Sequence, residues 1–218
     1  MLGLKYSQRL QSLRVVLASQ SPRRQSLLKE QLQILHLEAI PSHVPEDIDK
    51  SSCSGPADYV LRTCELKSAC IRDQELSSSK GIPDIIIAAD TIVVAESGKK
   101  ILEKPDNPSE AKDMMMLLSG SEHEVLTAVA ILVYDKVLSQ YKSTSFVETT
   151  RVTFSALSED VIDNYCASSE PYDKAGGYGI QAPGGSSFVS SIHGCYYNVM
   201  GLPLNRLCLE LIALLDGK

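Results

Sequence analysis

A run of five apolar residues, Ile85-Ile86-Ile87-Ala88-Ala89, constrains the fold of this chain more than any other segment. Turn residues around Gly81 and Pro83 precede the run, and Asp90 and Thr91 follow it directly. A short continuous apolar run between such signals is typical of a strand buried on both faces. The sequence therefore predicts a buried strand that ends at Asp90, and a further strand-like segment from Thr91 to Ala95.

Helix and strand patterns alternate along the rest of the chain. Val15 to Leu17 predicts a short strand, and Pro56 opens a long helix whose apolar residues recur at helical spacing. Two longer segments, Glu124 to Tyr134 and Val137 to Phe154, predict an antiparallel hairpin. We therefore predict a mixed-sheet α/β or α+β fold, in which residues 1–218 form one elongated unit of two lobes.

Composition and charge narrow the class of protein. The chain of 218 residues has a net charge of −6, which makes it a poor candidate for coating long nucleic acids. No apolar run approaches the roughly 18–20 residues of a membrane span, and the start is not typical of a secretory signal. The six cysteines show no metal-binding spacing and indicate thiols in a reducing compartment. We therefore expect a cytoplasmic protein without a membrane or polynucleotide partner.

The segment from Ser19 to Arg24 lies between a predicted strand and a predicted helix. Ser21 suits the N-cap position of that helix and Pro22 its first residue. Arg23 and Arg24 then fall in the first turn, where cations are disfavoured by the helix dipole. Two arginines there, beside serine hydroxyls, indicate either an anion site suited to phosphate or two solvated side chains at a helix start.

Asp90 is the strongest candidate for chemistry after these arginines. A carboxylate at the end of a buried strand lies where open α/β sheets place their ligands, although it could instead cap local backbone N–H groups. Lys67 lies on the apolar stripe of its helix and either extends to solvent or reaches a pocket. Lys104 could fold back toward Asp90. Gln181, in a glycine-rich segment, offers a donor and an acceptor to a nucleotide base.

Several blocks of this sequence resemble the Maf family of nucleoside triphosphate pyrophosphatases. The resemblance spans about residues 14 to 215, and its blocks occur in the order of the family. They are Leu17-Ala18-Ser19-Gln20-Ser21-Pro22-Arg23-Arg24, Ala89-Asp90-Thr91, Leu102-Glu103-Lys104-Pro105, Leu118-Ser119-Gly120, Glu170-Pro171-Tyr172-Asp173-Lys174-Ala175-Gly176-Gly177-Tyr178-Gly179-Ile180-Gln181 and Tyr196-Tyr197-Asn198-Val199-Met200-Gly201-Leu202-Pro203-Leu204.

The resemblance implies a mixed-sheet fold related to the inosine triphosphate pyrophosphatases, with a cleft between two lobes and often a homodimer. It also implies cleavage between the α- and β-phosphates of a nucleoside triphosphate. The products would be a nucleoside monophosphate and pyrophosphate, and the reaction would use Mg²⁺ or Mn²⁺.

The family's functional residues have counterparts in this chain. By resemblance, the phosphates are bound by a serine and three cations, Ser19, Arg23, Arg24 and Lys104. Glu46 and Asp90 match the acidic metal and general-base positions, and Lys67 matches a helix lysine. The segment around Glu46 aligns only loosely, so Asp47 and Asp49 are alternatives.

Substrate choice divides the family into two groups. One carries arginine, threonine and glutamine at the positions of Arg23, Thr91 and Gln181 and prefers dTTP, UTP and modified pyrimidine nucleotides. The other carries tryptophan, glutamine and glutamate and prefers 7-methyl-GTP. This chain has the first set. The alternatives are an enzyme of the second group and a non-catalytic nucleotide-binding regulator, for instance in cell division.

Overall fold

The computed structural model describes residues 6, 9–44 and 48–217 of the chain. The bounds of the strands are β1 Val15–Ala18, β2 Leu37–Ala39, β3 Ile85–Ala95, β4 Lys100–Leu102, β5 Glu122–Asp135, β6 Gln140–Phe154 and β7 Val189–His193. The bounds of the helices are α1 Pro22–Ser26, α2 Pro56–Leu76, α3 Pro108–Leu118, α4 Glu159–Cys166, α5 Gly185–Phe188, α6 Tyr196–Val199 and α7 Leu204–Asp216. Helix α1 continues as a π-helix, Leu27–Gln31, and short 3-10 turns span Lys50–Ser52, Glu96–Gly98, Pro171–Asp173 and Ala175–Gly177.

Seven strands form one sheet in the order β2-β1-β3-β5-β6-β7, and β4 also pairs with β3. Strand β1 runs parallel to β2 and to β3, whereas β4 is antiparallel to β3 and β7 is antiparallel to β6. This combination of parallel and antiparallel pairs with helices confirms the predicted mixed-sheet α/β fold.

The chain divides into two compact units. The first comprises residues 1–90, 128–147 and 204–218, and the second comprises residues 91–127 and 148–203. In the first unit, β1 and residues 85–89 of β3 are buried along their whole length. Leu28, Val60, Cys64 and Ile71 are buried in the same unit. Val60, Cys64 and Ile71 of the predicted apolar stripe of α2 therefore lie in a core.

The second unit has its own apolar core. Residues of α3, including Met115 and Leu118, are clustered there with Phe154 and Phe188. The buried ring of His123 lies edge-on to Phe154, with 5.0 Å between ring centroids, and belongs to the same region. None of the helices in the described part of the chain is long and apolar enough to span a membrane.

One prediction about the sheet is wrong, because β3 does not end at Asp90. The strand continues without interruption from Ile85 to Ala95, so Asp90 and Thr91 lie inside it. A charged residue is tolerated there because its carboxylate has a cationic partner, Lys67. The strand that does end near Asp90 is β1, which pairs with β3 only as far as Ala88. Pairing of β3 with β4 begins only at Val93, so residues 89–92 pair with neither strand.

Candidate active site

The segment after β1 forms the helix start that the sequence predicts. Ser21 is the N-cap of α1, and its hydroxyl accepts a hydrogen bond from the backbone N–H of Arg24. Pro22 is the first helical residue. Arg23 and Arg24 are both half-buried in this first turn. The local rules of helix capping therefore bring two guanidinium groups directly after the carboxyl end of β1.

The guanidinium of Arg24 is held in a defined position. Its Nη1 donates to the hydroxyl of Ser19 over 3.0 Å and to the carbonyl of Ala89 over 2.8 Å. The same Ser19 oxygen accepts from the backbone N–H of Ser21 over 3.2 Å. Ala89 is one of the β3 residues that pair with neither β1 nor β4. The carbonyl that accepts from Arg24 therefore belongs to this unpaired part of β3. Ser19 and Arg24 are thus in direct contact, and the Arg24 guanidinium lies against the carbonyl of the residue that precedes Asp90.

Lys67 and Asp90 form an ion pair within the first unit. The distance from Lys67 Nζ to Asp90 Oδ1 is 2.6 Å, and the two side chains are 11% and 14% exposed. Of the two interpretations of Lys67, extension to solvent is wrong, because its helix turns the ammonium group toward β3. Oδ1 accepts this bond, whereas Oδ2 of Asp90 has no hydrogen-bond partner among the described residues. Asp90 therefore has one oxygen fixed by a cation and a second oxygen available to a ligand or to water.

Thr91 belongs to the second unit and has different neighbours. Its hydroxyl lies 3.0 Å from the hydroxyl of Thr127 on β5. Thr127 is completely buried and in turn donates to the backbone carbonyl of Asn198 over 3.2 Å. Sequence reasoning did not select Thr127, because a threonine in a strand carries no signal of its own, and Asn198 entered it only as part of a family block. Thr127 lies beside Thr91 in the sheet, and the short helix α6 brings the Asn198 carbonyl to Thr127.

The glycine-rich segment packs closely in the second unit. Gly176 has a φ of +68°, and a Cβ there would lie 2.7 Å from Cγ2 of Val93, so no other residue fits. Its N–H donates over 3.0 Å to the carbonyl of Glu103, the residue before Lys104. Lys104 itself is exposed. The segment that carries Lys104 is therefore tied by its backbone to the glycine-rich segment that leads to Gln181.

Gln181 has a buried oxygen, Oε1, without a hydrogen-bond partner in the part of the chain that the structure describes. Leaving such an atom unpaired costs about 1–3 kcal/mol, so unpaired buried acceptors are uncommon in folded proteins. Nearby in the chain, the buried Lys174 ammonium contacts the Asp173 carboxylate over 2.6 Å and the Glu170 carboxylate over 3.2 Å. Lys174 was not among the predicted site residues, and its contacts stabilise the turn that precedes Gln181.

The predicted acidic cluster is only partly within the structure. Glu46 lies outside the described residues, as does its alternative Asp47. Asp49, the other alternative, is the N-cap of the 3-10 turn Lys50–Ser52, where its carboxylate accepts from the N–H of Ser51 over 2.8 Å. Among the described residues, no group of three or more His, Cys, Asp or Glu side chains is arranged to hold a metal ion.

These features define a class of protein. It is a mixed α/β protein in which an arginine, a lysine and a carboxylate lie together around residues 89–90 of β3. Such a set of groups suits a negatively charged ligand. The model of the family described as Maf-like protein matches residues 14–214, and the chain belongs to this family. The predicted family membership is thereby confirmed.

Sequence similarity to known proteins extends over most of the chain. A protein of Bacillus cereus (strain AH187) named dTTP/UTP pyrophosphatase is 46% identical over 198 residues, which are 91% of this chain and 94% of that protein. A human protein named probable bifunctional dTTP/UTP pyrophosphatase/methyltransferase protein is 44% identical over 203 residues. That match covers 92% of this chain but 32% of the human protein.

Among solved structures, the Ham1 protein of Staphylococcus aureus matches 91% of this chain and 98% of its own. The TM-score is 0.41 and the sequence identity is 11%. A likeness of this degree supports no inference about function.

Proposed function

We propose that this protein is a nucleoside triphosphate pyrophosphatase that hydrolyses dTTP and UTP to the monophosphate and pyrophosphate. The observation that carries the proposal is the grouping of Arg24, Lys67 and Asp90 around one short stretch of β3. Relatives that carry the name dTTP/UTP pyrophosphatase support the same reaction, since they are 44–46% identical over nearly their whole length.

The negative charge of the phosphates is compensated by arginines, of which Arg24 is already held in position. Arg24 is held by Ser19 and by the carbonyl of Ala89 through one guanidinium nitrogen, Nη1. Guanidinium groups such as those of Arg24 and Arg23 suit phosphate oxygens, because guanidinium binds them through paired hydrogen bonds. A cation fixed before the substrate arrives stabilises charge that develops on the leaving pyrophosphate without costly rearrangement.

Asp90 is the general base in this proposal. Lys67 fixes Oδ1, so Oδ2 is the oxygen that orients a water molecule and accepts its proton during attack on the α-phosphorus. The Lys67 ammonium also places a positive charge directly beside the Asp90 carboxylate. Lys67 therefore acts through Asp90, as a residue that positions the base.

The chemistry of the donors at this site fits a divalent ion. Asp90 offers a carboxylate oxygen, and Mg²⁺ in proteins is commonly held by one or two carboxylates together with substrate phosphates. We propose Asp90 and Glu46 as the protein ligands of Mg²⁺ or Mn²⁺. When bound, the ion supplies positive charge that offsets the negative charge of the phosphate oxygens.

The other assignments that rest on the resemblance stay predictions. They comprise phosphate binding by Lys104, base recognition by Thr91 and Gln181, a homodimer, and a cytoplasmic location. The unpaired buried oxygen of Gln181 favours a ligand near that residue, because a bound donor would remove the cost of leaving it unsatisfied.

The test is hydrolysis by purified protein of dTTP, UTP, CTP, 7-methyl-GTP and ITP, with Mg²⁺ or with Mn²⁺. Release of monophosphate and pyrophosphate is measured in water enriched in ¹⁸O. Attack on the α-phosphorus places the label in the monophosphate, and attack on the β-phosphorus places it in pyrophosphate. The Asp90→Asn variant, purified in the same way, controls for a contaminating enzyme.

We expect dTTP and UTP to be the best substrates, with the label in the monophosphate. A preference for 7-methyl-GTP would assign the protein to the other substrate group. Tight nucleotide binding without hydrolysis would overturn the proposal and favour a non-catalytic regulator.

A further inference from the structure

Lys174 is a buried lysine of the second unit whose three ammonium protons all have acceptors. Its Nζ donates to the backbone carbonyl of Glu170 over 2.5 Å, to the carboxylate of the same residue over 3.2 Å, and to the Asp173 carboxylate over 2.6 Å. An ammonium group carries three donors and no acceptor. Lys174 therefore has no proton left for a phosphate oxygen, and its side chain is anchored at its far end.

The groups that anchor this ammonium are themselves fixed. Asp173 belongs to the 3-10 turn Pro171–Asp173, and Glu170 directly precedes that turn. Tyr172, in the same turn, donates from its hydroxyl to the carbonyl of Cys166 at the end of α4 over 2.7 Å. The lysine is therefore tied to a stretch of backbone that is itself bound to a helix of the second unit.

The hydrocarbon stem of Lys174 lies directly against Gly179. A Cβ at Gly179 would be 2.8 Å from Cε and 2.9 Å from Cδ of Lys174, closer than real Cβ atoms approach other atoms. The φ of Gly179 lies outside the left-handed region, so the lysine stem and not the backbone conformation excludes a larger residue. On another side, a Cβ at Gly185 would lie 2.6 Å from the Gly179 oxygen. The backbone at Gly179 is therefore closely packed by both residues.

Gly179 is also the first residue of the turn that carries Gln181. The N–H of Ala182 donates to the Gly179 carbonyl over 3.0 Å, which closes a four-residue turn over residues 179–182. Gln181 is the third residue of this turn, which we call the Gln181 turn. The anchored stem of Lys174 therefore fixes the start of the Gln181 turn, two residues before the glutamine.

We propose that Lys174 is a positioning residue that holds the Gln181 turn, and that selection of uracil and thymine over cytosine depends on it. The inference rests on the proposed function, in which Gln181 meets the base. Uracil and thymine carry a carbonyl at ring position 4, where cytosine carries an amino group. A glutamine amide has both a donor and an acceptor, so it distinguishes these groups only while its position and orientation are fixed. On a loosened turn the amide adapts to either base.

The variant Lys174→Met tests this, because methionine keeps a stem of similar length and lacks the ammonium group that anchors it. We expect the ratio of kcat/KM for UTP to that for CTP to fall by about tenfold. Inhibition by inorganic triphosphate, which has the phosphates and no base, should stay unchanged because the Lys174 protons are all used within the protein. An unchanged ratio in folded Lys174→Met overturns the inference. Weaker inhibition by triphosphate with an unchanged ratio also overturns it and assigns Lys174 to the phosphates.

A matched control is Lys112→Met, which removes another lysine that contacts two carboxylates in the second unit. Lys112 Nζ lies 3.0 Å from the Glu159 carboxylate and 2.6 Å from that of Asp163. These residues belong to α3 and α4 and lie outside the Gln181 turn. The control should leave both the UTP to CTP ratio and the inhibition by triphosphate unchanged. Absence of UTP and dTTP hydrolysis by the original protein overturns the proposed function instead.

A second measurement needs no substrate. Gly179→Ala should lower the midpoint of thermal unfolding by at least about 3 °C, because the added Cβ meets the anchored stem of Lys174. In the Lys174→Ala background the stem is gone, so the same substitution should lower the midpoint by a much smaller amount. Equal decreases in the two backgrounds would show that Lys174 does not hold Gly179. That result would overturn the inference even if Lys174→Met did not fold.

Discussion

Lys67 and Asp90 lie 23 residues apart in the sequence, yet Nζ of the lysine is 2.6 Å from Oδ1 of the aspartate. Both side chains are largely shielded from solvent, so their contact offsets part of the cost of burying the two charges. The contact joins the middle of α2 to the middle of β3. It explains how a charged residue occupies the apolar stripe of a helix and how a carboxylate occupies a buried strand.

Replacing Asp90 by asparagine should reduce turnover far more than substrate binding. The amide keeps the size of the side chain but cannot accept a proton from water at neutral pH. General-base catalysis contributes roughly 10²–10⁴-fold, so kcat for UTP should fall at least about 100-fold. Steady-state kinetics with Mg²⁺ measure kcat and KM separately. A kcat close to that of the original protein would refute the role of Asp90.

The pair should also show energetic coupling in unfolding experiments. Lys67→Met leaves the Asp90 carboxylate without its cation, which should lower the free energy of unfolding by up to about 3 kcal/mol. Adding Asp90→Asn to that variant removes the uncompensated charge and should restore part of the stability, but not the activity. Urea titrations of the two single variants and the double variant measure this coupling. Strictly additive losses would show that the pair contributes nothing as a pair.

Replacing Arg24 by lysine should weaken substrate binding although the charge is kept. Arg24 Nη1 contacts Ser19 and the Ala89 carbonyl through a planar, forked group, which is also the geometry that binds phosphate in pairs of hydrogen bonds. An ammonium group is a single point and cannot reproduce this forked geometry. We expect KM for UTP to rise about tenfold or more. Gln20→Ala, an exposed neighbour in the same segment, is the matched control and should leave KM unchanged.

Acid should destabilise the second unit through His123. Its Nε2 lies 2.7 Å from the hydroxyl of Tyr178, and burial lowers the pKa of His123 to about 4. In the unfolded chain the pKa of histidine is about 6.5, so between these values the unfolded state binds a proton that the folded state does not. The free energy of unfolding should therefore decrease from pH 6.5 to 4, by about 3 kcal/mol in total.

The variant His123→Phe isolates this effect, because it keeps a ring in the aromatic cluster and removes the titrating group. Carboxylates elsewhere also contribute to acid unfolding, as with Glu38, whose pKa is lowered to about 2 chiefly by its hydrogen bond with Arg14. The difference between the two stability curves cancels those contributions. Curves that run parallel between pH 6.5 and 4 would contradict the prediction.

Gly185 should tolerate no side chain. A Cβ at this position would lie 2.6 Å from the carbonyl oxygen of Gly179, which is backbone and cannot move aside cheaply. Gly185→Ala should therefore lower the free energy of unfolding by about 1–3 kcal/mol and disturb the segment that carries Gln181. At Gly55 an added Cβ meets nothing within 4 Å, so Gly55→Ala should have a smaller effect. Thermal unfolding and kcat/KM for UTP compare the two variants.

Much of the local structure was predictable from the sequence. The N-cap Ser21 and the cap Asn107, whose side chain accepts from the N–H of Glu110, follow from rules that involve residues a few positions apart. The strand at Val15 and the helix from Pro56 follow from apolar spacing. The two strands of the long β5–β6 hairpin were predicted within a few residues of their bounds, because each is a long run of strand-forming residues.

The continuation of β3 through Asp90 was not predictable in this way. A polar pair inside an apolar run is a common sign of a strand end, and the partners that allow the strand to continue lie far away in sequence. Asp90 needs Lys67, and Thr91 needs Thr127, 36 residues further along the chain. No local pattern reveals that these groups are satisfied.

The sequence by itself therefore determined the order of the elements, the helix start with its two arginines, and the motifs that mark the Maf-like family. These depend on capping, periodicity and residue identity, which act over a few neighbouring positions. Only the tertiary structure decided that Arg24 meets the carbonyl of Ala89 and that Thr127 meets Asn198, 71 residues away. The physical reason is that such contacts arise from strand pairing and helix packing, which bring together polar groups that no spacing in the sequence connects.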